Sequence, residues 1–424
     1  MSSSYPSKPL DKLGKWVGGG TPSKANSAFW TKGTVPWVSP TDMGTDRLSS
    51  TLENITEAAV LQSTTAIVPK NTILLVVRSG ILRKRIPIAI VEVSCAINQD
   101  LKAIIPNISE EGRYLFHALR AYEQNILART QKIGTTVESL DFPLVRCFNV
   151  PDPDPDAKLA IADVLDALDE AILEADALIE KLRTVHVGMI DDLFTRGLAD
   201  DGSPRESSAL VETAVGLRPA AWKVANLGRF VVGAEYGTNL PLGDSSAGIP
   251  VLRMNNIQDG ELDLSDLKYA PAHAVGRFRV QRNDVLFNRT NSWEHVGKAA
   301  IWRRDEPGPA FASYLVRLHC GDALLPEFLH LWLNWAPVQR VIRQFATPGV
   351  QQVNINPTNL RRALIAVPDT VDEQCAIIER VNGVAAAIEG HRRQRAKLAS
   401  LREGLRDDLL TGRQPVVAVR EAAE

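Results

Sequence analysis

Few residues in this 424-residue sequence have the types and spacing that catalysis needs. Gly18-Gly19-Gly20-Thr21-Pro22-Ser23-Lys24 has the glycines and the lysine of a phosphate cradle. Pro22 removes a backbone donor, and the spacing does not match G-x-x-x-x-G-K-[ST], so it does not read as a nucleotide loop. The seven histidines are scattered, and neither H-E-x-x-H nor G-x-S-x-G occurs. No G-x-G-x-x-G opens a helix after a strand. The Asp/Asn-Pro-Pro-aromatic motif of adenine amino-methyltransferases is missing, and Asn356-Pro357-Thr358 does not supply it. Cys95, Cys147, Cys320 and Cys375 stand alone, which fits a reducing cytoplasm and signals neither zinc nor disulfides. What remains is recognition chemistry. Arg83-Lys84-Arg85 is the densest positive run and suits phosphate oxygens, or else it is a solvated loop.

The elements that must position these groups come in two copies. Val35-Pro36-Trp37-Val38 is echoed 214 positions later by Ile249-Pro250-Val251-Leu252. Around Leu13 the chain reads LGKWVGGGTP, and around Leu227 it reads LGRFVVGAEYG. Lys70-Asn71 is echoed by Arg282-Asn283, and Asp191-Asp192-Leu193-Phe194-Thr195 by Asp407-Asp408-Leu409-Leu410-Thr411. So long a period excludes a solenoid and implies two domain-plus-helix halves. The expected class is α+β: two repeated α+β domains separated by two long antiparallel helices in a coiled coil. Residues 1–150 form the first domain, with a helix over Gly112–Ala128. Residues 216–368 form the second, with a helix over Pro326–Phe345.

Charge follows the same division. Residues 1–150 and residues 216–368 each carry 17 basic and 12 acidic side chains, a net +5. Residues 151–215 carry 5 basic and 16 acidic, a net −11. Two basic domains therefore hide behind a whole-chain charge of −2, and nucleic acid is not excluded. The opening residues have no apolar core of a signal peptide, and no apolar run approaches the ~20 residues of a membrane span.

Pro151, Pro153 and Pro155 with their aspartates open a helix expected over 151–197. Ile161, Leu165, Leu168, Ile172, Ala175, Ile179 and Leu182 alternate by four and three, a heptad seam. Val164, Ala171, Leu178 and Val185 widen it. About 38 residues at ~1.5 Å rise give a rod of roughly 57 Å. The second helix is expected over 369–413, with Ile377, Val381, Val384, Ile388, Leu398 and Leu405 on its seam. The first helix is acidic (Asp163, Asp166, Asp169, Glu170, Glu174, Asp176, Glu180), and the middle of the second is basic (His391 to Lys397). Matched seams with opposite charge predict that the two helices pair, through Leu168, Ile172, Ile179, Val384 and Ile388; taken singly, these charges read as solvated faces. Residues 198–215 read as a linker and 414–424 as a frayed tail.

These residues resemble a known family. Gly19 to Met43 is similar to the opening of a target-recognition domain in the specificity subunit of bacterial type I restriction–modification systems. Gly248 to Tyr269 and Asp284 to Trp302 resemble another variety of that domain. The helical endings DDLFTRGL and DDLLTGR resemble the family's spacer helices. The resemblance implies a non-catalytic subunit whose domains each read one half of a bipartite site in double-stranded DNA. It implies helices that set the spacing and dock two methyltransferase subunits, and further restriction–translocase subunits as partners. S-adenosylmethionine, ATP and magnesium would belong to those partners, with no cofactor in this chain.

Base reading needs polar side chains presented from loops. The candidates in the first domain are Lys24, Ser39, Arg78, Arg83, Lys84 and Arg85. In the second they are Tyr236, Asn239, Arg253, Asn255, Asn256, Arg289, Asn291 and Ser292. Val77-Arg78-Ser79-Gly80 aligns with Asn288-Arg289-Thr290-Asn291, and the differences between the copies imply unequal half-sites. Arg253 and Arg289 fit an internal ion pair equally well. Trp37 and Trp302 read as core, and Trp293 fits either role. Two other functions stay open: a two-domain protein-binding scaffold, and an enzyme with an unrecognised site. A specificity subunit of a related combined nuclease–methylase system is a variant of the family reading.

Overall fold

A computed structural model describes residues 4–132, 137–349 and 352–414. Contacts divide the chain into two units, residues 1–177 with 392–424, and residues 178–391. Each long helix contributes to both. Residues 133–136 and nearly all of the expected 414–424 tail lie outside the described residues.

In the first unit, a five-stranded sheet runs in the order Gly14–Gly18, Leu101–Pro106, Ile73–Val76, Ile88–Val91, Arg47–Leu48. A second sheet runs Glu53–Ile55, Val35–Val38, Cys95–Ile97, Ala66–Val68. The strands Ile73–Val76 and Ile88–Val91 are buried along their whole length because both faces are covered. One face packs on Tyr114, Leu115 and Leu119 of a helix, the other on Val38, Val68 and Ile97. The expected single helix is two, Gly112–Ala121 and Glu123–Thr130, broken at Tyr122.

The second unit repeats this plan. Its main sheet is Val231–Tyr236, Leu315–Cys320, Val285–Asn288, Ala299–Ile301, and its second is Lys268–Ala270, Ile249–Leu252, Ala310–Phe311. Its helix is also broken, into Pro326–Asn334 and Ala336–Arg343. Trp335 between them is extended, and Pro337 has no N–H to continue the ladder. The side chain of Gln339 bridges the break by donating to Leu333 O and Gly297 O. The 198–215 segment is ordered at its end, where Leu210–Thr213 forms a hairpin with Gly216–Pro219.

The long helices run Pro155–Arg196 and Val371–Thr411. Asp154 caps the first by accepting from Ala157 N. Gly197 and Gly412, at φ +58° and +71°, end them in the left-handed conformation that only glycine adopts freely. Within the first unit Arg402 pairs with Asp169 and Arg395 with Asp176. Seven residues forward on one helix is seven back on the other, so the helices run antiparallel. Ile161, Leu165, Leu409 and Leu410 bury into the core of that unit, and Leu193, Phe194, Ile377 and Val381 into that of the other. Of the predicted seam, Ile179 and Ile388 are buried, while Leu168, Ile172 and Val384 are half-buried. The widening positions Leu178 and Val185 are exposed, so the seam is narrower than expected. The acidic face divides its work. Asp166 turns to Arg47, Arg113 and His117 of the first domain, whereas Asp169 and Asp176 meet the second helix. Burial pushes the Asp166 carboxyl up, but hydrogen bonds from His117 and Arg113 outweigh it and hold the carboxyl below its ordinary range.

Candidate nucleic-acid interface

Four segments meet at one edge of each domain, and a glycine lets them meet. A Cβ on Gly19 would lie 2.1 Å from Ile97 O, and one on Gly237 would lie 2.2 Å from Phe311 O. The chain leaving the edge strand therefore passes directly over the end of the second sheet. There Gly20 N donates to Ile97 O, and Thr238 N to Phe311 O, both at 2.9 Å. In the first domain the segments are Gly20–Lys24, Ser39–Asp42, Val77–Ser79 and Asn98–Asp100. Asn98 N donates to Val38 O and Val77 N to Asp100 O. In the second they are Thr238–Leu242, Arg253–Asn256, Arg289–Ser292 and Ala312–Tyr314. Ala312 N donates to Leu252 O and Arg289 N to Tyr314 O.

The second segment turns the same way in both. Ser39 N and Oγ donate to Asp42 Oδ2 at 2.8 Å, and Arg253 N donates to Asn256 Oδ1 at 2.8 Å. Asn256 is 1% exposed, and its amide donates to Asp263 O and Asp266 O at 2.9 Å. Its expected role as a reader is corrected: every polar atom of its side chain is committed to holding the turn. Arg253 pairs with Asp266 at 2.7 Å, the internal alternative, and Asn255 lies 3.5 Å from the same carboxylate.

The structure gathers Tyr236 and Arg289, with the guanidinium 5.2 Å from the ring centre. Arg289 also donates to Asn354 Oδ1 at 2.8 Å and to Ser313 O at 3.4 Å. Asn291 caps the backbone of Ser292, whose hydroxyl bonds His295. Asn239 is exposed. In the first domain, Lys24 lies 3.4 Å over the ring of Trp30 and pairs with Glu53 at 2.5 Å. Arg78 is exposed. The Arg83-Lys84-Arg85 run sits apart in its bonding, beside the helix Glu123–Thr130: Gln131 donates to Leu82 O, and Gln124 reaches Lys84 O. Arg83 pairs with Glu138 at 2.5 Å, and that hydrogen bond holds the Glu138 carboxyl below its ordinary range.

Pairing register overturns the expected alignment of Arg78 with Arg289. Leu140 N bonds Val77 O, and Ile355 N bonds Arg289 O. Val76 faces Leu101, and Asn288 faces Leu315. Val77 therefore occupies the place of Arg289, and Arg78 that of Thr290. Trp37 and Trp302 are buried as expected, and Trp293 is 52% exposed. Sequence reasoning missed Gln99, Tyr314 and Asn354. The 214-residue offset that matches Val38 to Leu252 also matches Asn98–Asp100 to Ala312–Tyr314, and would have pointed to the first two. No group of three or more His, Cys, Asp or Glu among the described residues could hold a metal, and no described helix is long and apolar enough to cross a membrane.

Comparison with known proteins matches residues 5–183 to the type I restriction modification DNA specificity domain. Residues 5–183 therefore carry a domain similar to that of type I restriction–modification specificity subunits. It is similar to the specificity subunit of the EcoR124I/EcoR124II type I restriction enzyme of Escherichia coli, 41% identical over 162 residues, 38% of this chain and 40% of that one. A second specificity-family relative is the MjaIX specificity subunit of Methanocaldococcus jannaschii, 27% identical over 261 residues, 60% of this chain and 58% of that one. The aligned stretches thus span two- to three-fifths of these relatives' length. The fold matches the S subunit of a type I restriction–modification system from M. genitalium with a TM-score of 0.60, over 96% of both chains at 13% identity.

Proposed function

We propose that this chain is the DNA sequence-recognition subunit of a type I restriction–modification complex. Each domain reads one half of an asymmetric, split site in duplex DNA through its four-segment rim. The observation that carries this reading is one scaffold, used twice, with different polar side chains at equivalent rim positions. A basic domain of net +5 supplies phosphate attraction, and polar side chains from loops supply base contacts. The two long helices set the separation of the half-sites and dock two methyltransferase subunits on their outer faces. Those subunits bring S-adenosylmethionine, and restriction–translocase subunits bring ATP and magnesium; this chain performs no chemistry itself and acts in the cytoplasm. Linking two readers raises the effective concentration of the second, so neither half-site needs tight binding alone.

Single-molecule methylome sequencing tests this in cells co-expressing the chain with its cognate methyltransferase. N6-methyladenine at one split, asymmetric motif is the expected result. Absence of any new motif, with both proteins present and soluble, would overturn the reading in favour of a protein-binding scaffold.

A further inference from the structure

The broken helix leaves a cavity in each domain at the same place, between its second half and the strand that returns to the long helix. In the first domain this cavity measures about 250 Å³ and is lined by Tyr122, Asn125, Arg129 and Phe148, among others. Its counterpart in the second measures about 380 Å³, and its wall is apolar: Val215, Trp335, Val338, Val341, Ile342 and Phe345. Arg218 and Arg362 also line it, with no carboxylate.

Arg218 is the anomaly. It comes from the hairpin Gly216–Pro219 and is only 4% exposed. Its guanidinium lies 4.9 Å from the ring centre of Trp335 and 5.6 Å from that of Trp332. One amino group donates to Leu217 O, and Nε is buried without a partner. Burial pushes its pKa down to about 10, against a weak opposing pull from Glu212, and it forms no ion pair among the described residues. A guanidinium with that pKa is still charged at neutral pH. An unpaired buried charge costs several kcal/mol in desolvation unless something neutralises it. A cavity of this size takes a small organic molecule, with apolar walls for its body and a few polar groups for its orientation.

We propose that this cavity is a binding site for a small amphipathic carboxylate, its apolar body against Trp335, Val338 and Phe345 and its anionic end on Arg218, with Arg362 at the mouth. The site is separate from the DNA-reading rim and confined to the second domain. The fork of a guanidinium matches two carboxylate oxygens, and the flanking tryptophans exclude water that would screen the pair.

The test titrates the full chain with 4-phenylbutyrate and, in parallel, with the uncharged 4-phenylbutanol, reading tryptophan fluorescence and the melting temperature. Phenylbutyrate is expected to saturate, raise the melting temperature, and bind about tenfold or more tighter than the alcohol, as hydrogen bonds to charged groups imply. Arg218→Met keeps the stack on Trp335 and is expected to erase that preference. Arg362→Gln, at the exposed mouth, is expected to weaken the acid several-fold and leave the alcohol unchanged. Failure of phenylbutyrate to saturate would overturn the proposal, as would equal binding of acid and alcohol to the unmodified chain, which decides the matter even if Arg218→Met does not fold.

Discussion

The two domains share their backbone pairing almost residue for residue and differ in the side chains hung on it. Trp37 faces Ala96 across a parallel pair as Val251 faces Ala310, and Ile73 faces Ile90 as Val285 faces Ile301. Asn71 and Asn283, at φ +65° and +68°, turn into equivalent strands. The rim carries such differences in polar character: Ser39 against Arg253, Asp42 against Asn256, Val77 against Arg289, Gly18 against Tyr236. A backbone pairing held constant while the rim side chains change is the pattern expected when the scaffold positions and the rim selects.

The largest effect lies in what both domains share, the helix pair. Leu168→Asp places a carboxylate in the half-buried seam without touching either rim. Losing a half-buried leucine and partly desolvating a carboxylate costs about 2 kcal/mol, so helicity should fall and site-specific methylation by the reconstituted complex should be lost. Retained methylation would refute the helix pair as the element that sets the spacing of the half-sites. The glycine crossing comes next. Gly19→Ala and Gly237→Ala each drive a methyl into a backbone carbonyl, and forced overpacking of this kind costs about 1–3 kcal/mol. Equal losses of melting temperature are expected. A large loss in one domain and none in the other would break the equivalence.

The turns should then separate the domains. Asn256→Ala removes a buried amide that holds Asp263 O, Asp266 O and Arg253 N, and leaves Asp266 O with Arg253 Nη2, at a cost of roughly 1–2 kcal/mol. Asp42→Ala releases Ser39 and Leu52, which are partly exposed and can turn to water, for about 1 kcal/mol. Urea unfolding of the two variants checks the ordering. On the rim itself, Arg289→Ala should weaken binding of the second half-site by about 1–2 kcal/mol and relax selection there. Arg78→Ala should weaken the first half-site and reduce the salt slope by about one. Fluorescence anisotropy on each half-site at several salt concentrations distinguishes them.

Much of this was legible in the sequence because the repeat is carried by strands, where spacing is rigid. The Val35–Val38 echo is correct to the residue. Both helix ends follow from Gly197 and Gly412. The LGKW and LGRF echo misleads. Leu10 N bonds Phe148 O as Leu227 N bonds Ala363 O, so Leu227 corresponds to Leu10, not Leu13. One 3-10 turn separates the two leucines, and a bulge after Val231 restores the phase. The Arg78 and Arg289 mismatch has a similar cause. Their register is set by backbone bonds to a distant hairpin, and a shift of one residue on a strand reverses the face a side chain presents. Among the candidate readers, Asn256 failed because sequence shows a polar residue near a strand end but not the two carbonyls, Asp263 and Asp266, that its amide holds.

The smallest effect is in acid, and it separates the domains at one shared position. His117 and His330 occupy the same place on the broken helix, five residues before Tyr122 and Trp335. His117 bonds the carboxylate of Asp166 at 2.7 Å, and among the described residues His330 bonds only the carbonyl of Gly260, also at 2.7 Å. Burial, with some help from Arg303, pushes the His330 pKa down to about 4 from its ordinary 6.5. A depressed histidine binds its proton more readily in the unfolded chain. Its contribution is therefore present above pH ~6.5 and is lost as pH falls toward ~4, with about 1 kcal/mol gone by pH ~5.5. Asp166 is depressed from the carboxylate range, so what it contributes to the first domain persists to lower pH, disappearing only as the medium passes below about 4. Hydrogen exchange at pH 7 and pH 5.5, corrected for intrinsic rates, should show the second domain loosening first. His330→Gln, which can still donate to Gly260 O, should remove that difference. Equal loosening of both domains in the unmodified chain would show that the two histidines are equivalent after all.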